Sequence, residues 1–342
     1  MMQRNRTRWT AVTAAGLILL GAQRSSAQNP EEFYAGKTVT LIVGFEVGGG
    51  YDLYTRLLAR HYGKYLNGAT FVVQNMTGAG SLRAANYIFN VAPKDGTMLG
   101  MVGGGIAFEP LFGNSQAQFR AEEFSWVGSE NSEVSTCQIW HIAPMARFED
   151  ALTAEIAVGG TGTGADSNVF PRALNAFTGT KFKVISGYTG TAPVFLAMER
   201  GEVNGICGIY WSSAIVQHGD WIAQGKMKPL VQLAIEKHPD HPDVPLAIDF
   251  ARSPADRAAL ELVFAPMKFA RPMFGPPGIP ADRLAHLRRA FDRTMNDPEF
   301  RADAAKLNLE VGPLPGAQID VLLKRFYRSP PEVIKRVSEA RR

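Results

Sequence analysis

Four times in this 342-residue chain an apolar run gives way to clustered glycine and then to residues at helical spacing. The first case is the clearest. Val39 to Gly44 is apolar and β-branched, glycines follow at 48 to 50, and Leu53, Leu57, Leu58 and His61 recur with the period of a helix face. Glycine at such a junction lets the backbone approach whatever lies above the strand, and it leaves the first helical N–H groups free to meet a negative charge. A tight turn with Asp52 as helix N-cap is the plainer account of the same residues. Two phosphate motifs are excluded by count: position 53, where a dinucleotide fingerprint needs its third glycine, is leucine, and no Gly-Lys-Ser/Thr follows.

The device recurs along the chain. Thr70 to Gln74 leads into Gly78, Ala79 and Gly80; Glu155 to Val158 opens onto Gly159 to Ser167; Lys181 to Ile185 precedes a loop holding Gly187, Tyr188 and Gly190. Strands are also read at Thr97 to Val102, Val134 to Ile142, Val203 to Tyr210 and Leu230 to Ile235, and helices at Phe148 to Leu152, Pro254 to Phe264, Ala281 to Met295 and Pro298 to Lys306. Arg271 to Pro280 reads as a proline-rich segment. Strands alternating with helices imply an α/β fold with parallel pairing, and no linker separates the two halves. Open α/β sheets bind ligands beyond the carboxyl ends of their strands, so the glycine turns of the halves are expected to face one another across a cleft.

The ends set the compartment. Arg4, Arg6 and Arg8 precede an apolar run from Trp9 to Leu20, and Ser25-Ser26-Ala27 supplies small residues for a signal peptidase. The run is short of the ~20 residues of a membrane span, so residues 1 to 27 read as a cleaved export signal and the mature protein as periplasmic. The formal charge of +4 resides in that leader: without its four arginines, 32 basic and 32 acidic residues remain. The basic excess of a nucleic-acid binder is absent. Cys137 and Cys207 are the only cysteines, and the sequence leaves open whether they pair. The histidines (His61, His141, His218, His238, His241, His286) lack metal-site spacing, so no metal and no cofactor is expected; His238-Pro-Asp-His241 reads as a solvated turn.

The spaced residues Gly49, Gly50, Asp52, Arg56, Val73, Asn75, Gly78, Ala79, Gly80, Pro93, Asp95, Gly96 and Thr97 resemble the opening of the tripartite tricarboxylate transporter substrate-binding proteins, the Bug or TctC family. The resemblance continues through Gly159 to Ser167, Tyr188 to Gly190, Gly201 to Gly205 and Pro276 to Leu287, nearly the whole mature chain. It implies a two-lobed periplasmic binding protein fold of type II with two hinge crossovers. Residues 28–130 and 265–342 would form lobe 1 and 131–264 lobe 2. It also implies a monomeric receptor, not an enzyme, that closes on a small organic carboxylate through backbone N–H groups and delivers it to membrane permease subunits.

The ligand-binding residues carried over are Phe45, Glu46, Gly49, Gly50, Tyr51 and Asp52 in the first loop, with Gly78, Ala79 and Gly80 in the second. From the other half come Thr161, Gly162, Thr163, Gly164, Asp166, Ser167 and Tyr188, joined by Tyr210 and Trp211. The chain departs from the family pattern in three ways. Glu46 stands where small or apolar residues are usual, Gly187 replaces a proline, and the aromatic Tyr210-Trp211 suits a bulkier acid or ordinary packing. Two rival functions stay open at this stage: a ligand sensor for a membrane protein, and an exported hydrolase using Ser167 or Ser213, although no G-x-S-x-G elbow is present.

Overall fold

The computed structural model describes residues 30–341, so the export signal read at residues 1 to 27 lies outside the described residues. A short helix, α1 (Pro30–Tyr34), leads into β1 (Thr38–Val43), whose Val39, Leu41, Ile42 and Val43 are all buried. A strand apolar on both faces needs cover on both. α2 (Gly50–Tyr62) provides some of it, burying Tyr54, Leu57, Leu58 and Tyr62 at intervals of one, three and four. With β2 (Thr70–Asn75), α3 (Leu82–Asn90) and β3 (Met98–Met101) the chain completes a β-α-β-α-β run in which β1 pairs in parallel with both β2 and β3. β4 (Ser125–Ser129) ends this first pass.

The second sheet is built by one continuous stretch. β5 (Ser135–Trp140) is followed by β6 (Ile156–Gly160), α4 (Asp166–Thr178), β7 (Phe182–Ser186) and α5 (Thr191–Glu199). Then come β8 (Gly205–Tyr210), α6 (Trp211–Ala223) and β9 (Met227–Leu233), giving the order β7-β6-β8-β5-β9. α7 (Pro254–Phe264) starts on a Ser253 cap that accepts from Asp256 N–H at 3.1 Å, with proline in the first turn where no donor is missed.

The chain then returns to the first sheet with β10 (Pro272–Gly275), α8 (Ala281–Met295), α9 (Pro298–Lys306), β11 (Leu314–Pro315), α10 (Gly316–Phe326) and α11 (Pro331–Ala340). Its order is β11-β4-β10-β3-β1-β2. The expected all-parallel pairing is corrected: both sheets are mixed. β10 is antiparallel to β3 and β4, and β5 is antiparallel to β8 and β9. β10 and β5 are the strands that arrive from the other lobe, and the short edge strand β11 is antiparallel to β4 as well. The proline-rich segment Arg271 to Pro280 supplies β10, and the short helix at Phe148–Leu152 is a 3₁₀ turn.

Cys137 and Cys207 face each other on β5 and β8 and form a disulfide with an S–S distance of 2.09 Å. The two crossovers run side by side. Glu130 N–H donates to Arg271 O at 3.2 Å, Ala270 N–H to Asn131 O at 3.3 Å, and Glu133 N–H to Met267 O at 2.9 Å.

Candidate functional site

Helix starts from both lobes converge between the sheets. α2 begins after Gly49, α4 after Ala165, α5 after Gly190 and α6 after Tyr210, and all four of those residues line one cavity. About 80 Å³ of it is open to the centre of a water-sized sphere. The first N–H groups of a helix have no intrahelical acceptor and carry the positive end of its dipole, so such a cavity favours negative charge. Among the described residues, none that lines it is a lysine, arginine or histidine.

One wall is aromatic. Phe45 stacks on Tyr51 with centroids 4.4 Å apart, and Tyr51 Oη lies 2.9 Å from both Tyr210 Oη and Ala270 O. Behind it sits Arg271, fully buried, with its guanidinium carbon 4.0 Å from the Tyr54 ring centre and 5.1 Å from those of Tyr51 and Tyr210. Its Nη2 reaches Glu133 at 3.0 Å, Ser212 at 2.9 Å and Ser213 at 3.0 Å. Glu133 balances this cation. It acts on the cavity through the wall it supports, tying α2 of one lobe to the start of α6 in the other.

Two acids line the cavity. Asp166, in the first turn of α4, has its carboxyl pushed up to about 7 by removal from water, against an opposing hydrogen bond with Tyr210. Glu46 crosses from lobe 1 to lobe 2. Its carboxylate lies where a side chain on Gly190 would begin, 1.6 Å from that would-be Cβ, so only glycine admits it. Burial pushes Glu46 up, while the N–H groups of Ala192 and Thr191 at the start of α5 favour its charged form. Polar groups complete the lining. Thr191 Oγ1 donates to Gln217 Oε1 at 2.7 Å, which leaves the buried Gln217 Nε2 with no partner.

The structure brings Phe45, Glu46, Gly49, Gly50, Tyr51, Thr161, Gly164, Asp166, Ser167 and Tyr210 to the cavity and sets the other sequence candidates apart from it. Asp52 is buried under the turn. Gly49, not Asp52, is the residue at the cap position, and the Asp52 carboxylate accepts from Gly48 N–H at 2.9 Å, Asn75 Nδ2 at 2.9 Å and Arg56 Nε at 2.8 Å. Gly78, Ala79, Gly80 and Tyr188 border an adjoining cleft that shares Phe45 and Thr161 with the cavity, and Thr163 borders another. Gly80, with φ of +65°, meets lobe 2 backbone to backbone: a Cβ there would lie 2.5 Å from Ala165 N. A Cβ on Gly162 would lie 2.7 Å from Gly80 N, so these glycines let the lobes touch. Trp211 is buried edge-on against His241, ring centres 3.9 Å apart, which is packing.

The sequence missed Gly103, Gly105, Ala165, Gly190, Thr191, Gly208, Ile209, Ser213 and Gln217 as lining residues. Gly190 and Thr191 carried the same strand-glycine-helix signal as the first loop. Gln217 carried none, because α6 was not read as a helix. Neither serine has a histidine beside it: Ser167 Oγ accepts from Thr161 N–H at 3.0 Å, and Ser213 is held by Arg271. The segment at His238 is a turn, exposed at Pro239 and Asp240, but its first histidine is not solvated. His238 is buried, with Nε2 3.2 Å from Glu310 Oε1 and Nδ1 accepting from Asp240 N–H at 3.2 Å, so both ring nitrogens are engaged where His238, Asp240 and Glu310 gather.

No family model matches the chain. It is 23% identical over 320 residues to the "UPF0065 protein in gbd 5'region" of Cupriavidus necator, covering 90% of each. It is 31% identical over 185 residues to a UPF0065 protein of the TAR-I ttuE-ttuC' intergenic region of Agrobacterium vitis, about half (52%) of each chain. Among solved structures, the periplasmic binding protein BugD matches with a TM-score of 0.71 at 21% identity, covering 90% of this chain and 98% of BugD. MatC from Rhodopseudomonas palustris with bound malate matches at 0.67 and 24%, covering 90% and 99%. An R. palustris protein with adipate matches at 0.69 and 19%, covering 88% and 97%. The resemblance carried by the glycine motifs is borne out: the chain has the two-lobed α/β fold of the Bug and TctC solute-binding proteins and is similar to them over nearly all its described length.

Proposed function

We propose that this chain is a periplasmic solute receptor that encloses a small organic carboxylate between its lobes and delivers it to the membrane subunits of a tripartite tricarboxylate-type transporter. One observation carries the reading: four helix starts, one from lobe 1 and three from lobe 2, open onto a single cavity that no side-chain cation lines. Each start favours an anion by ~0.3–1 kcal/mol, and more where water is excluded. The unpaired Gln217 amide and the hydroxyls of Thr161 and Ser213 supply further donors.

The ligand biases a hinge motion at the paired crossovers, near residues 126–132 and 264–271, toward the closed form. Residues 1 to 27 address the chain for export, and the Cys137–Cys207 bond suits an oxidising compartment. Among the described residues no helix is long and apolar enough to cross a membrane; in this reading separate permease subunits carry the solute across.

A thermal-shift screen of the mature chain with mono-, di- and aromatic carboxylates tests the receptor. A ligand that binds only the folded state raises the melting temperature. A flat response across every acid overturns the reading.

A further inference from the structure

We propose that Glu46 is a built-in second carboxylate, filling from within the chain the anion position at the start of α5, so that the receptor takes acids with one carboxylate and a neutral or cationic far end and rejects matched dicarboxylates. The inference deepens the proposed function and rests on it. The placement is specific. Glu46 belongs to the loop that leads into α2 in lobe 1, yet its carboxylate lies against Gly190 in lobe 2 and faces the N–H groups of Thr191 and Ala192. Those donors are what a ligand carboxylate would seek at a helix start.

With the α5 start taken by Glu46 and Asp166 in the first turn of α4, the α2 and α6 starts are left for the ligand's own carboxylate. Asp166 is the other acid in the lining; Arg271 lies behind the tyrosine wall with Glu133 beside it, and Arg341, near Asp166, is paired with Glu109. Like charges brought together in a cavity shielded from water repel more strongly than in solvent. An ammonium or hydroxyl at the far end would instead find Glu46 and Asp166 as acceptors.

Three chain-matched trios test this by calorimetric titration of the mature protein: butanoate, 4-aminobutanoate and succinate; hexanoate, 6-aminohexanoate and adipate; benzoate, 4-aminobenzoate and terephthalate. In the trio that fits the cavity, the wild type is expected to bind a single-carboxylate member at least tenfold more tightly than the dicarboxylate. Glu46→Ala, which frees the α5 start, should raise dicarboxylate affinity tenfold or more. Glu46→Gln, which keeps the shape and removes the charge, should narrow the preference, with unchanged circular dichroism showing that both variants fold. Equal binding of mono- and dicarboxylate by the wild type, or the same ratio in Glu46→Ala, overturns the role of Glu46 while leaving a carboxylate receptor in place. Silence of wild type and both variants toward every acid overturns the receptor reading and this proposal with it.

Discussion

The two lobes share a sheet plan and contribute unequally to the cavity between them. Lobe 2 sends three α-helix starts to it, after β6, β7 and β8, whereas lobe 1 sends one, α2, with the 3₁₀ turn that begins at Gly103 after β3; the turn after β2 in lobe 1 meets the facing backbone instead. Lobe 2 is also pinned by the Cys137–Cys207 bond, and the described part of lobe 1 has no such bond. The lesson is a division of labour: one lobe holds most of the donors in a fixed frame, while the other brings a cover and an acid.

The largest test removes the pin. Cys137→Ser with Cys207→Ser releases a link across 70 residues of sequence, and it should cost ~2–5 kcal/mol of stability, read as a lower melting temperature. If the lobes differ as described, amide exchange should rise in β5 and β8 before β1 and β3. Uniform loss across both sheets would break the comparison.

Next come the two glycine turns of lobe 1. In Gly50→Val the first added carbon would lie 2.2 Å from Ser213 Oγ and 3.3 Å from Arg271 Nη1, and carboxylate affinity should fall at least tenfold, ~1.4 kcal/mol. In Gly80→Ala the added carbon would strike the backbone of Gly164 and Ala165, 2.5 Å from Ala165 N, so it should keep the lobes apart. Small-angle scattering with saturating ligand should show a larger radius of gyration than in the wild type. A normal radius would remove Gly80 from the contact between lobes.

The smallest effect concerns Asp166. Its carboxyl is neutral below about 7 and ionises above it, so affinity for a carboxylate should fall severalfold from pH 6 to pH 8, and Asp166→Asn should flatten that slope. The sign for stability agrees. A raised folded-state pKa gives a contribution complete below the unfolded value near 3.9 and lost as pH rises through about 7, so the variant should gain on the wild type above neutrality. A parallel pH profile for both proteins would place Asp166 in contact with water.

Local signals were legible in the sequence and long-range ones were not. α7, α8 and α9 fall where their starts and apolar stripes put them, because proline at or just before the first turn and the Ser253 and Asp297 caps act over two or three residues. β10 was invisible as a strand: its four residues sit in a proline-rich run, and what makes them a strand is the pair of open edges on β3 and β4. The same holds at the site. Motif spacing marked both loops around the cavity, yet it could not separate Gly50, which lines the cavity, from Gly80, which lines the seam, since both serve close backbone approach. Nor could it show that Glu46 crosses to α5, because that contact joins residues far apart in sequence.

The reversed strands have a consequence for how the molecule is made. Met101 on β3 finds its antiparallel neighbour only when Met273 arrives. A chain synthesised N-terminus first therefore displays the raw edge of β3 until all of lobe 2 has been made. Such an edge invites pairing with strangers, so nascent copies should need chaperone cover until the late strand slots in.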